Sequence, residues 1–311
     1  MSEIDGAVVV RIDGSPEAVG AARWAGAVAC RVAAPLNIVH ALPTVGRNLT
    51  ESAAAIRAAV MSFQRDSSEI FLKEAADAVR AVAPGAPITT SSLTTPVDEA
   101  LVEISRQSLL IVLGGDKVTP VDALLLGSTT LGVSTRAVCP VVTWRGTPPV
   151  PSAQPVVVGV DGSRAGSAAL AAAFEFASRF NVPLQAVHSW STRLPAGGVT
   201  IPLLIDWDSV EAAQNALLAH AVDQWRASYP DVDVTCILEQ AKPGRALLDH
   251  AADAQLVVVG TRGRNAVASA VLGSTSLNLL HHSAVPVMVC HASDYAWGHS
   301  GATPGAPDGV S

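Results

Sequence analysis

Charge is scarce in this sequence. Only 15 % of its 311 residues are charged, and the balance is acidic at −7. Such a chain has no general electrostatic pull toward nucleic acid. Cysteine is sparse too. Cys30, Cys139, Cys236 and Cys290 show no CxxC spacing, and they read as small buried hydrophobes rather than as a disulfide or metal set. No uninterrupted apolar run is long enough to cross a bilayer. The first residues lack a basic segment and a cleavage pattern before the apolar run Ala7-Val8-Val9-Val10, so a reducing cytoplasm is the expectation. There is no Walker A sequence and no Gly-x-Gly-x-x-Gly after a first strand, which argues against a P-loop ATPase and a dinucleotide dehydrogenase. A Gly-x-Ser-x-Gly elbow is also missing, so a hydrolase triad has no anchor.

What the chain has in quantity is apolar sequence, 49 % of residues, and a length that favours two domains. It is a duplication. Val8-Val9-Val10-Arg11-Ile12-Asp13-Gly14-Ser15 returns as Val156-Val157-Val158-Gly159-Val160-Asp161-Gly162-Ser163. Pro35 to His40 returns as Pro183 to His188 at the same offset. Leu126-Gly127-Ser128-Thr129 matches Leu272-Gly273-Ser274-Thr275 at an offset two residues shorter. A period this long means duplicated domains rather than a solenoid. The expected layout is a first domain over 1–146, a proline-rich linker over 147–154, a second domain over 155–292 and a disordered tail over 293–311.

Each copy reads β-α-β-α-β-α-β-α-β. The expected strands lie near Ala7–Ile12, Leu36–Leu42, Ile88–Leu93, Leu109–Leu113 and Val141–Trp144, then near Val156–Val160, Leu184–His188, Val232–Leu238, Leu256–Val259 and Val287–Cys290. Most are continuous apolar runs, as parallel strands covered on both faces should be. Long helices are expected over Glu51–Val82 and Asp208–Tyr229. In the first of these, Ile56, Val60, Phe63, Ile70 and Val82 recur near the helical period. Alternating strands and helices give α/β architecture, two doubly wound parallel sheets in tandem. Ligands of such sheets bind beyond the carboxyl ends of the strands, where strand order reverses.

The most specific stretch follows the strand run Leu256-Val257-Val258-Val259. It reads Gly260-Thr261-Arg262-Gly263-Arg264-Asn265 and runs on to Gly273-Ser274-Thr275 before a helical pattern. Glycines admit a ligand close to the backbone, and a helix start offers free amides and a favourable dipole to phosphate. A tight βα turn with no ligand is the competing reading. Arg262 and Arg264 fit either phosphate contact or a solvated loop. Asp161 fits either a ligand contact or a helix cap beside Ser163. His40 and His188 end equivalent strands and are read as local hydrogen-bond partners rather than bases. His281-His282 ends a helix, where a cation suits the dipole, and no metal site is expected.

These residues resemble the universal stress protein family, in the tandem-domain form common in actinobacteria. The family pattern Gly-x2-Gly-x9-Gly-[Ser/Thr] falls on Gly260, Gly263, Gly273 and Ser274. The resemblance implies a Rossmann-like fold of strand order 3-2-1-4-5 in each copy and pairing through the fifth strand, either within the chain or in a homodimer of chains. It implies that the glycine turn, with Thr261, Arg262, Arg264 and Thr275, holds the ribose and phosphates of ATP with Mg2+. Asp161 and Ser189 would then border the adenine, and Gly159 belongs to the same binding set. The first copy offers Asp13, Gly114, Gly127, Ser128 and Thr129 but departs from the pattern. Lys117 stands where the second glycine belongs, and Arg11 stands where the second copy has Gly159. A side chain at either position can block close approach. Three functions stay open: an ATP-dependent signalling or stress-adaptation module with an unidentified protein partner, a slow ATP hydrolase, and a nucleotide-free dimerisation scaffold. No catalytic residue is assigned.

Overall fold

The structure is a computed structural model. It describes residues 6–42, 51–93, 96–114, 127–146, 150–190, 206–261 and 272–292, with backbone only at 51–57. The chain divides into two compact units, Met1–Ser152 and Ala153–Ser311. The expected tail and part of the expected linker lie outside the described residues.

The first unit runs β1 (Val8–Ile12), α1 (Pro16–Arg31), β2 (Leu36–Ala41), α2 (Glu51–Val82), β3 (Ile88–Leu93), α3 (Val97–Ile104), β4 (Leu110–Gly114), α4 (Ser128–Arg136) and β5 (Val141–Trp144). The second runs β6 (Val156–Val160), α5 (Arg164–Phe180), β7 (Leu184–Trp190), α6 (Trp207–Arg226), β8 (Val234–Gln240), α7 (Pro243–Ala251), β9 (Leu256–Gly260), α8 (Ser274–His282) and β10 (Val287–Cys290). Within the first unit the strand order is β3-β2-β1-β4-β5, and within the second it is β8-β7-β6-β9-β10. All these neighbours are parallel. The expected α/β class and the order 3-2-1-4-5 are therefore what each unit shows.

The order has a direct consequence for the site. The chain leaves β1 toward β2 and later crosses back to place β4 on the other side of β1. Strand order reverses between β1 and β4, and again between β6 and β9, which opens a crevice at the carboxyl ends of those strands. Val156 pairs with Leu184 on one side of β6 and with Leu256 on the other. In the second unit α5 packs with α6 on one face of the sheet and α7 with α8 on the other. Strands β6, β7, β9 and β10 of this unit are mostly buried, which explains the continuous apolar runs of β6, β9 and β10.

The turn out of the first strand is set by glycine. Gly14 and Gly162 sit at φ +81° and +74°, the left-handed region where a Cβ is costly. Ser15 then caps α1 by accepting from the Ala18 amide at 3.1 Å, and Ser163 caps α5 by accepting from the Gly166 amide at 3.0 Å. The two helices end alike, with Ala33 (φ 57°) and Asn181 (φ 53°) in left-handed conformation, and the amides of Ala34 and Val182 reaching back to Ala29 and Ala177.

The apolar period in α2 announces the helix but not its buried face. Ser68, Leu72, Ala75, Ala76 and Val79 face the core, while Val60, Phe63 and Ile70 are exposed. Ile56 is one of the residues described by backbone alone. α2 has 32 residues and its counterpart α6 has 20. Val60 and Phe63 precede the first buried residue among those described, Ser68, and Ile70 lies within the buried stretch but on its solvent side.

Candidate functional site

In the second unit the crevice edge gathers Asp161, Gly162 and Ser163 after β6, Ser189 at the end of β7, Gly260 and Thr261 after β9, and Gly273 to Thr275 at the start of α8. Asp161 is half-buried, and its Oδ1 accepts from the Ser163 amide at 2.9 Å. Its Oδ2 has no partner among the described residues. Gly166 leaves the room this carboxylate uses, since a Cβ there would lie 2.3 Å from Oδ1. Asp161 thus braces the turn with one oxygen and presents the other, while the capping itself falls to Ser163.

His188 is buried, with Nδ1 donating to the Val160 carbonyl at 2.6 Å and Nε2 lying 2.8 Å from the Gln214 side-chain amide. Both ring nitrogens are used to tie β6, β7 and α6 together, which suits a structural histidine. The Ser189 hydroxyl donates to the Ala241 carbonyl. It ties the end of β7 to the β8–α7 connection and keeps only lone pairs for a ligand.

Gly260 is required by packing. A Cβ there would lie 2.6 Å from the Ala165 carbonyl carbon, so the first motif glycine lets α5 start against the end of β9. The Thr261 amide donates to Cys290 at 2.8 Å, and the Thr261 carbonyl accepts from Gly273 at 2.6 Å. Its side chain is buried, so Thr261 acts here through its backbone. The Ser276 hydroxyl donates to the Gly260 carbonyl at 2.7 Å. Gly273 begins α8 without a side-chain cap. The amides of Ser274 and Thr275 have no acceptor among the described residues, and Ser274 is exposed. Uncapped amides at a helix start are suited to an anion. Arg262, Gly263 and Arg264 lie outside the described residues.

Two residues at this edge escaped the sequence reading. Ser276 is one; its counterpart Thr130 is likewise a buried hydroxyl, and that repetition was the available signal. The other is Arg164, the first residue of α5, where the first copy has Pro16. A cation at a helix start opposes the dipole, and exposed Arg164 forms no ion pair among the described residues.

The first unit builds the same edge with different contacts. Both oxygens of Asp13 are engaged. Oδ2 accepts from Arg11 Nη1 at 2.9 Å, and Oδ1 accepts from the Ser15 hydroxyl at 2.6 Å and the Ser15 amide at 3.1 Å. Burial pushes the Asp13 carboxyl up, but the Ser15 hydrogen bonds and the Arg11 charge outweigh it and hold the group below the usual carboxylate range. The Phe71 ring lies against Gly14, where a Cβ would come within 2.7 Å of it. His40 meets Phe71 edge-on at 5.5 Å and hydrogen-bonds Ser68 at 3.0 Å, which in turn meets Ser92 at 2.9 Å. Burial and then the nearby Arg11 charge lower the His40 pKa. Gly114 packs against Ala18 of α1, and Gly127 begins α4 with no side-chain cap. Ser128 is exposed and Thr129 half-exposed on its first turn. Lys117 lies outside the described residues.

Two doubly wound units, each with an acid after its first strand and an uncapped helix after its fourth, define a tandem α/β protein with a duplicated crevice. Comparison with known proteins then supplies the family. The Universal stress protein family matches residues 6–145 and again 153–291. Universal stress protein Rv2623 of Mycobacterium tuberculosis is 34 % identical over 297 residues, covering 92 % of this chain and 96 % of the relative. Universal stress protein Rv2005c of the same organism is 35 % identical over 293 residues, covering 92 % and 97 %. The crystal structure of a universal stress protein from Archaeoglobus fulgidus superposes with a TM-score of 0.67 at 21 % identity, covering 94 % of this chain and 98 % of that one, a likeness of fold. The chain belongs to the universal stress protein family. Among the described residues no helix is long and apolar enough to cross a membrane.

Proposed function

We propose that the second unit binds ATP, with Mg2+ on its phosphates, and that the chain is a cytoplasmic stress-adaptation module whose partner choice follows its nucleotide state. The observation that carries this reading is the pairing, on one crevice edge, of a half-free Asp161 carboxylate with the uncapped first turn of α8. The carboxylate can accept from the exocyclic amine of adenine, and the α8 amides can donate to phosphate. Gly159, two residues before Asp161, carries no side chain, and Leu247 and Val259 pack beside it. Arg262 and Arg264, by their place in the motif, and Arg164, by its place on α5, are the candidate counter-charges. The engagement of both His188 nitrogens favours binding over turnover, because hydrolysis needs a group free to take a proton from water.

The test is mass analysis of small molecules released from freshly purified, denatured protein, followed by calorimetric titration with Mg·ATP. Retained adenine nucleotide, or saturable binding abolished by Asp161→Ala in a folded variant, is the expected result. A chain that purifies without nucleotide and does not bind Mg·ATP would return the protein to the scaffold reading. Time-dependent ADP release would return it to the hydrolase reading.

A further inference from the structure

We infer that Arg11 closes the first unit's crevice from within, so that this one side chain sets how many nucleotides the protein takes. The inference rests on the reading that the family crevice is a nucleotide site. The two crevices share their frame. The same Asp-Gly-Ser turn leaves the first strand, the same serine caps the next helix, and the same uncapped helix follows the fourth strand. They differ in the carboxylate. In the second unit Asp161 keeps one oxygen without a partner among the described residues, and position 159 carries no side chain. In the first unit Arg11 lies on β1 between Val39 of β2 and Leu113 of β4, at the point where strand order reverses. Its guanidinium reaches forward to Asp13 and takes the oxygen that the second unit leaves open.

Three consequences follow. A ligand amine that would meet Asp161 in the second unit finds the corresponding acid in the first already bonded to a cation. Position 11 places a guanidinium at the strand end, whereas Gly159 places no side chain there and has Leu247 and Val259 packed beside it. To bind, a base must break a charge-assisted hydrogen bond that is only partly exposed, with Arg11 and Asp13 at 25 % and 40 % side-chain exposure. Arg11 Nε is buried with no hydrogen-bond partner among the described residues. The contact between Arg11 and Asp13 thus acts as a latch.

The experiment uses the full chain with Asp161→Ala in place, so that the remaining Mg·ATP binding is read from the first unit. Lys117→Gly restores the missing motif glycine there, and Arg11→Gly is then added. Calorimetry should show that Arg11→Gly with Lys117→Gly binds Mg·ATP at least tenfold more tightly than Lys117→Gly alone. Arg11→Met, which keeps bulk but frees Asp13, should fall between them and guards against a glycine variant that loosens β1. Equal affinity with and without Arg11, in variants with unchanged urea midpoints, overturns the latch. So does a wild-type chain that titrates two equal sites. If the wild-type second unit takes no Mg·ATP at all, the nucleotide reading itself has failed. If that unit binds while Arg11 substitutions change nothing in the first, only the latch has failed.

Discussion

The two units carry one scaffold and two ligand edges. Strand order, capping serines, positive-φ turn glycines and left-handed helix ends all recur. The difference concentrates where strand ends meet the crevice. Asp161 is half free and Asp13 is doubly engaged. His188 bonds to a carbonyl and an amide, whereas His40 feeds a chain of serines and carries Phe71 on its edge. A duplicated fold can hold its core contacts while one side chain on one strand redefines what a crevice offers.

The largest expected effect tests whether the shared glycines are packing residues. Gly260→Ala should destabilise the second unit by about 1–3 kcal/mol, the usual range for overpacking against backbone. Gly114→Ala should cost the first unit less, because its closest backbone atoms are 3.0 Å from the new Cβ rather than 2.6 Å. Urea unfolding of each variant reads the difference, and equal losses would show that the closer approach in the second unit does not matter.

Gly263→Lys copies the first unit's departure into the second. If glycine at this position permits close backbone approach to phosphate, the substitution should weaken Mg·ATP binding by about 1–3 kcal/mol. Calorimetry measures this, with a thermal melt on the same sample expected to stay near wild type.

The buried histidine of the first unit predicts a pH dependence. The folded pKa of His40 lies below its unfolded value near 6.5. The unfolded chain therefore binds more protons as pH falls through that value, and stability is present above about pH 6.5 and lost below it. The loss cannot exceed about 1.4 kcal/mol per pH unit for one proton. His40→Asn should flatten this slope in urea midpoints between neutral and mildly acid pH. A slope that survives the substitution would assign it elsewhere.

The smallest effect concerns helix ends. Ala33 holds a left-handed conformation that its counterpart Asn181 tolerates better. Ala33→Gly should stabilise the first unit by roughly 0.5–1 kcal/mol, and Asn181→Gly should change the second by only a few tenths.

Much of this architecture was legible in the sequence because duplication doubles every signal. Strand runs, the Asp-Gly-Ser turns and the Gly-Ser helix start each occur twice. The misreadings have physical causes. The exposed row of α2 has the right period, but period alone does not say which face meets a sheet. Gly260 was read as room for a ligand, and its missing Cβ also makes room for Ala165, which the spacing alone does not show. Arg11 was visible as a departure from the pattern, but its reach to Asp13 depends on side-chain conformation, which spacing does not encode. The proton of Ser189 goes to Ala241, a partner on another connection and far along the chain.

The hydrogen bond between the Thr261 carbonyl and the Gly273 amide has a consequence for chain length. It fastens together the two ends of the segment between β9 and α8. A segment anchored at both ends is cheap to lengthen, since doubling a loop adds only about 0.6 kcal/mol of closure entropy. The scaffold therefore exerts little pressure on how many residues lie between the two anchors. Yet both copies keep the same count from Gly114 to Gly127 and from Gly260 to Gly273. Closure entropy therefore does not account for the shared count.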